Sequence, residues 1–233
     1  MDLPGSIRTI GAYAFDGCDS LEVLNIPTDT EHIGNGAFRG CKKLITIAAA
    51  ADSNYYCSVD GVLFDKARKT LVAYPNGKTE SKYVIPEGTE IIRGDAFGNC
   101  SKLKTVIMPE GVAEIGASAF MNCSQLAAVS LPDGLQAIDD EAFANCRYLR
   151  DINVPASTAR IGSRAFSGCG SLRSLALSDR VTEIGDDAFL ACTHLTVTVP
   201  SESCAEQYCK ANHLKYRSEP ALPATEDLSW LNN

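Results

Sequence analysis

The motif Ala-Phe-x-x-Cys occurs seven times in this chain, beginning at Ala14, Ala37, Ala96, Ala119, Ala142, Ala165 and Ala188. Its cysteines are Cys18, Cys41, Cys100, Cys123, Cys146, Cys169 and Cys192. Adjacent members lie 23 residues apart, except across one interval of 59, which is a unit of 23 plus a variant of 36. A fixed period in this range describes a solenoid, in which each unit buries its apolar side only against its neighbours. The 233 residues therefore read as one elongated domain. Such a repeat assigns most residues to packing and leaves few for chemistry.

Residues 103–123 serve as the type unit. Leu103, Val106 and Met108 recur as Leu21/Leu24/Ile26, Leu126/Val129/Leu131, Leu149/Ile152/Val154 and Leu172/Leu175/Leu177. The last two of each set alternate, which predicts a short strand with one face buried. Proline then ends the strand at Pro4, Pro27, Pro86, Pro109, Pro132 and Pro155, with Pro200 in the last unit. In the second half, Ile-Gly-x-x-Ala-Phe-x-x-Cys, the spacing predicts a short helical turn with Ala, Phe and Cys pointing inward, capped from Asn35, Asp140, Ser163 and Asp186. The residue before each Cys is Gly17, Gly40, Asn99, Asn122, Asn145, Gly168 or Ala191. Gly and Asn tolerate a left-handed backbone, so this position reads as the stop of each turn. That role also accounts for the asparagines of two glycosylation-like sequences, at Asn99 and Asn122. Seven of the ten cysteines occupy one repeat position and read as a column of small buried side chains. Parallel Cβ directions on stacked rungs work against bridging, so free thiols are expected.

The pattern resembles the BspA-like, or Treponema-type, leucine-rich repeats of bacterial proteins, whose unit runs Leu-x-x-Ile-x-Ile-Pro and then Val-x-x-Ile-Gly-x-x-Ala-Phe-x-x-Cys. The resemblance covers residues 3 to about 216, with Arg93 and Asp139 standing where the pattern has Gly. It implies a leucine-rich-repeat solenoid of the α/β repeat class: a right-handed coil, a parallel β-sheet on the concave face, short helical turns on the convex side and one inserted β-hairpin. The expected organisation is a single solenoid over 1–216, with a hairpin-containing variant unit at 51–80, a C-terminal cap at 201–216 and a flexible acidic tail at 217–233. The hairpin is read from Val62-Leu63-Phe64 and Leu71-Val72-Ala73-Tyr74 flanking a polar connection. It is expected to replace one helical turn and project from the convex side, either as another way of filling the core or as a binding loop. In the cap, Ser203 and Glu206 form a capping box, Cys204 and Cys209 pack, and Leu214 and Tyr216 add a last strand. Trp230 lies in the tail.

Twenty-one basic against 29 acidic residues, a net charge of −8, argue against a nucleic-acid partner, which needs clustered Lys and Arg. The apolar stretches are too short for membrane insertion. His32, His194 and His213 fall at different repeat positions and imply no catalytic or metal cluster. No metalloprotease, phosphate-loop or nucleophile-elbow motif is present, so the expectation is a protein that is not an enzyme and uses no cofactor or metal. What remains is a surface. Outward strand residues form one column of Val23, Thr46, Thr105, Ala128, Asp151 and Ser174, and another of Asn25, Ala48, Ile107, Ser130, Asn153 and Ala176. From these, Val23, Asn25, Thr105, Ile107, Ser130, Asp151, Asn153 and Ser174 are the candidate concave binding face. The family resemblance implies a non-catalytic protein-interaction or adhesion module of a bacterial surface or secreted protein, with a host matrix or cell-surface protein as partner. The alternative is a structural spacer with no ligand of its own. Location stays open between the cell surface or exterior, by resemblance, and the cytoplasm, since the chain opens at Met1-Asp2-Leu3-Pro4 without a signal-peptide pattern. Pro4 already ends a strand, so the expectation is that further repeats or a cap precede Met1, or that this uncapped end packs against another molecule, self-association included.

Overall fold

Each unit contributes two short parallel strands joined by turns, in a computed structural model that describes residues 1–150 and 152–220. The first strand of the unit appears as Val23–Ile26, Thr46–Ala49, Lys82–Val84, Thr105–Ile107, Ala128–Ser130, Ser174–Ala176 and Thr196–Pro200. Leu24, Ile47, Val106, Val129 and Leu175 point into the core while their neighbours point out, as alternation requires. The second strand is only two residues long, as in Glu114–Ile115 and Ala137–Ile138, and its isoleucine faces the core. Both faces keep the repeat register: Thr105 pairs with Ala128, and Glu114 with Ala137. The solenoid thus has two strand-bearing faces, one more than the sequence pattern suggests.

The third face holds the Ala-Phe-x-x-Cys segments, which form hydrogen-bonded turns and not the short helices the spacing predicts. The cause is a left-handed residue before every Ala-Phe pair: Tyr13, Gly36, Asp95, Ser118, Glu141, Arg164 and Asp187, with φ between 54° and 63°. A left-handed residue stops right-handed helix propagation. The amide two residues on faces the following rung: Phe97, Phe120 and Phe143 N–H donate to the carbonyls of Ala119, Ala142 and Ala165, each at 2.7 Å. The expected caps serve the same stacking: Asp140 Oδ1 accepts from Ser163 N of the next rung at 2.7 Å. The position before each Cys is left-handed in all seven units, Ala191 included, with φ between 59° and 74°. Asn99, Asn122 and Asn145 add a side-chain ladder there: Asn122 Nδ2 donates to Asn99 Oδ1 and Asn145 Nδ2 to Asn122 Oδ1, each at 3.0 Å.

Inside this face the rings of Phe97, Phe120, Phe143, Phe166 and Phe189 stack with centroids 4.7, 5.1, 5.4 and 5.6 Å apart. Burying each ring stabilises the coil by about 1.5–3 kcal/mol. All ten cysteines are free. Their role is more specific than filling space. The Sγ of Cys123, Cys146, Cys169 and Cys192 each donates to the carbonyl of the preceding unit's Phe at 3.1 Å. The glycine after the buried isoleucine has a steric cause. A Cβ on Gly34, Gly162 or Gly185 would lie 2.2–2.4 Å from a backbone nitrogen of the preceding rung. Asp139 stands at this position without glycine, and so does Arg93. The Arg93 guanidinium reaches back to the Ile33 carbonyl and to Asn35 Oδ1.

The variant unit departs from expectation most. Val62–Asp65 and Thr70–Ala73 pair antiparallel, and Tyr56–Val59 adds a third strand on the other edge. This hairpin does not project: Val62, Leu63, Phe64 and Leu71 are fully buried. Its alternating side chains separate two hydrophobic cores. Tyr56, Leu63 and Val72 pack with Leu24, Phe38 and Ile47 on the N-terminal side. Val62, Phe64, Leu71 and Tyr74 pack with Ile92 and Phe97 on the C-terminal side. The sheet is a partition across the coil. Tyr74 takes the place of the ladder phenylalanine, its ring 5.1 Å from Phe97. Asn76 replaces the missing turn: its Oδ1 accepts from Gly40 N at 2.6 Å and its Nδ2 donates to Gly98 O at 2.9 Å.

At the C-terminal end, Ser203 caps the helix Cys204–Ala211 by accepting from Glu206 N at 3.1 Å. Glu206 reaches back one residue further than a capping box places it, to Glu202 N at 2.9 Å. Tyr216–Glu219 is a strand paired with Val197–Pro200. The boundary expected at 216 therefore falls inside a strand, and Arg217, Ser218 and Glu219 belong to the sheet. The rest of the expected tail, Trp230 included, lies outside the described residues from 221 onward.

Candidate functional site

The outward residues of the first-strand face form the candidate site. Val23 and Asn25 stand on one strand, Thr105 and Ile107 on another, Ser130 and Ser174 on two more, all at least partly exposed. Asn153 is exposed but sits in no strand, and Asp151 lies outside the described residues. Among the described residues the face divides into three sheets: Val23–Ile26 with Thr46–Ala49, then Lys82–Val84 through Ala128–Ser130, then Ser174–Ala176 through Tyr216–Glu219. The first division is the partition. Asn25 is already engaged, its Nδ2 donating to Asp2 Oδ1 at 2.5 Å. Two residues were missed by the column reading, Lys82 and Val84, which pair with Thr105 and Ile107. Val84 is 56% exposed, so beside Ile107 it makes the most apolar point of the face. The signal was present in Tyr83-Val84-Ile85-Pro86, a strand-then-proline pattern that restarts the column after the insert.

Titratable groups meet elsewhere. Across the partition, Arg39 bridges Asp16 at 2.9 Å and Asp95 at 3.3 Å, lies 4.7 Å over the Tyr13 ring, and Tyr13 Oη donates to Asp95 at 3.2 Å. Burial raises the Asp95 carboxyl, with Arg39 and Tyr13 working against the shift. Asp95 is held across the insert by both Arg39 and Tyr13, while Asp16 binds Arg39 from the same side, so the cluster reads as a tie between the two stacks. His194 and His213 line one open groove of about 530 Å³ with Leu190, Tyr208 and Lys215, a proximity their repeat positions do not show. Among the described residues no three His, Cys, Asp or Glu side chains form a metal-holding group. No helix there is long and apolar enough to cross a membrane.

The family model for the BspA type leucine rich repeat region matches this chain in six copies, over residues 1–58 and 73–196. The chain belongs to the BspA-type leucine-rich repeat family. The gap between the matched segments falls on the partition hairpin, the one unit that departs from the BspA-type pattern. No curated protein matches the sequence. Among solved structures, a leucine rich cell surface protein from Faecalibacterium prausnitzii is 34% identical, with a TM-score of 0.79 over 88% of this chain and 54% of that one. The pneumococcal vaccine antigen PcpA is 22% identical, with a TM-score of 0.75 over 94% of this chain and 67% of that one. A leucine-rich repeat protein from Eubacterium ventriosum is 21% identical, with a TM-score of 0.55 over 82% of this chain and 64% of that one. This BspA-type chain spans about half the length of the Faecalibacterium protein. The last two likenesses are likenesses of fold.

Proposed function

We propose that this chain is a non-catalytic interaction module of a bacterial cell-surface or secreted protein, binding a protein partner along its first-strand face. The supporting observation is the face itself: a parallel ladder presenting exposed, small, mixed side chains at a fixed spacing, with Val84 and Ile107 as its apolar centre. Family membership and the likeness to a cell surface protein favour the outside of the cell. Affinity along such a face comes from many modest contacts, since the described outward strand residues from Val23 to Thr198 include no aromatic or arginine anchor and Arg217 stands at the far end. We read the face as the concave one.

The test is a pull-down of immobilised chain against purified matrix and cell-surface proteins, run beside a Val84→Glu/Ile107→Glu variant. Enrichment that the variant loses supports the reading. Equal recovery by both, or no enrichment at all, rejects the face and leaves the chain a spacer within its parent protein.

A further inference from the structure

The net charge of −8 hides a strong segregation. At the corner where each turn passes into the first strand, Lys43, Lys102, Lys104, Arg147, Arg150 and Arg173 are all exposed. Backbone hydrogen bonds place several of them in register. Ala127 N donates to Lys104 O at 2.9 Å, Arg150 N to Ala127 O at 3.5 Å, and Arg173 N to Arg150 O at 3.1 Å. Ser171 N donates to Arg147 O at 3.2 Å, which sets Arg147 beside the same column. One rung is about 4.8 Å, so Lys104 to Arg173 spans roughly 14 Å along the coil.

Five of these cations have no carboxylate partner among the described residues. Among the described residues the side chains of Lys43, Lys104, Arg147 and Arg173 join no ion pair or hydrogen bond, and Lys102 donates only to Gly77 O at 3.1 Å. The corner's carboxylates are spoken for: Asp19 is bound by Lys42 and Glu80 by Lys78. Glu22 sits at the N-terminal end of the column, and Asp151, next to Arg150, lies outside the described residues. Acids such as Glu110, Asp133 and Asp186 belong instead to the proline-to-phenylalanine half of the unit, where they repel an anion. The corner also lacks the apolar pocket on which a protein partner anchors. Its other residues include the hydrogen-bonding Ser101, Ser124, Gln125 and Ser171, the apolar Ile45 and Ala127, and the 51%-exposed ring of Tyr148.

We propose that this basic corner binds a linear sulfated polysaccharide lying along the solenoid axis. Repeated cations in register match anionic groups repeated along a chain, the serine and glutamine side chains meet sugar hydroxyls, and Tyr148 offers a ring face to a sugar. The site does not share residues with the first-strand face, so either reading stands or falls without the other.

The test uses heparin as probe with the full chain, measuring affinity across a salt series. Retention at physiological salt is expected, with log affinity falling linearly against log salt. A Lys104→Glu/Arg150→Glu/Arg173→Glu variant is expected to bind about tenfold more weakly or worse, with the salt slope reduced by about one per cation removed. Because all three side chains are exposed, unchanged thermal unfolding is the check on folding, and the matching Gln variant repeats the measurement with milder substitutions. A Lys69→Glu variant, whose lysine is paired with Glu90 outside the corner, should bind as the parent does. Failure to bind at low salt, equal binding by the triple variants, or tighter binding of polyglutamate or duplex DNA than of heparin would each overturn the proposal. The Val84→Glu/Ile107→Glu variant should retain heparin fully.

Discussion

Replacing Tyr74 by Phe should make this protein more stable. Tyr74 does the work of a ladder phenylalanine. Its ring stacks 5.1 Å from Phe97 at an interplanar angle of 25°, and its N–H donates to Ala96 O at 2.8 Å, as the ladder phenylalanines donate. The residue is 5% exposed, and its hydroxyl has no hydrogen-bond partner among the described residues. Burial, with Cys100 and Glu80 nearby, pushes the phenol far above its ordinary range, so it stays neutral and gains nothing from ionising. An unpaired buried hydroxyl costs about 1–3 kcal/mol. Removing one oxygen forfeits a few tenths of a kcal/mol of dispersion. The expected net gain is about 1 kcal/mol, roughly fivefold in the folding constant. Guanidinium unfolding followed by circular dichroism should show a higher midpoint with an unchanged slope. The converse, Phe120→Tyr, inserts a hydroxyl between Phe97 and Phe143 and should lower the midpoint. A Tyr74→Phe midpoint equal to or below the parent's would refute the reasoning, since it would mean the hydroxyl is satisfied.

Further outcomes follow from the same stacking. Gly162→Ala places a Cβ 2.4 Å from Asp140 N, so the two rungs must part by about 1 Å, at a cost of roughly 2–3 kcal/mol. Gly11→Ala, with nothing within 4 Å, should cost little, and hydrogen exchange at Ile138 and Ile161 separates the two. A maleimide should label exposed Cys18 promptly in the native protein and reach the buried column only on unfolding. Burial lifts Cys41, Cys192 and Cys209 from the ordinary 9.0 to about 11. A folded-state value above the unfolded one means that their stabilisation is complete below the ordinary thiol pKa and is lost as pH rises through the folded value. Unfolding midpoints should hold steady up to about pH 8 and fall from about pH 9 to about 11, less steeply in Cys41→Ala/Cys192→Ala.

The parts of the fold that side chains dictate were readable from the chain. Gly or Asn before each Cys announced a left-handed residue, and the backbone adopts it even where Ala191 stands. The second left-handed position was not readable, because Tyr13, Asp95, Ser118, Glu141 and Arg164 share no chemistry. There the conformation is imposed by rung-to-rung amide bonds, which any side chain can accompany. Val62-Leu63-Phe64 was recognised as a strand, but an uninterrupted apolar run does not say what covers each side. Here it is two separate cores. The candidate face suffered similarly: its columns skipped Lys82 and Val84, which lie 23 residues before Thr105 and Ile107 but follow an insert that breaks the count from the N-terminal units. The basic corner escaped notice because a whole-chain charge sum averages away residues that only stacking brings into register.

The partition has a consequence for how such a protein can change over generations. Side chains on its two faces answer to different neighbours, so a repeat gained, lost or altered on one side meets a fixed wall and not a continuous core. Mutations that adjust packing near Leu24 or Phe38 need no compensating change near Phe97 or Phe120. The hairpin therefore acts as a seam, at which one array can lengthen or drift while the other keeps its fit.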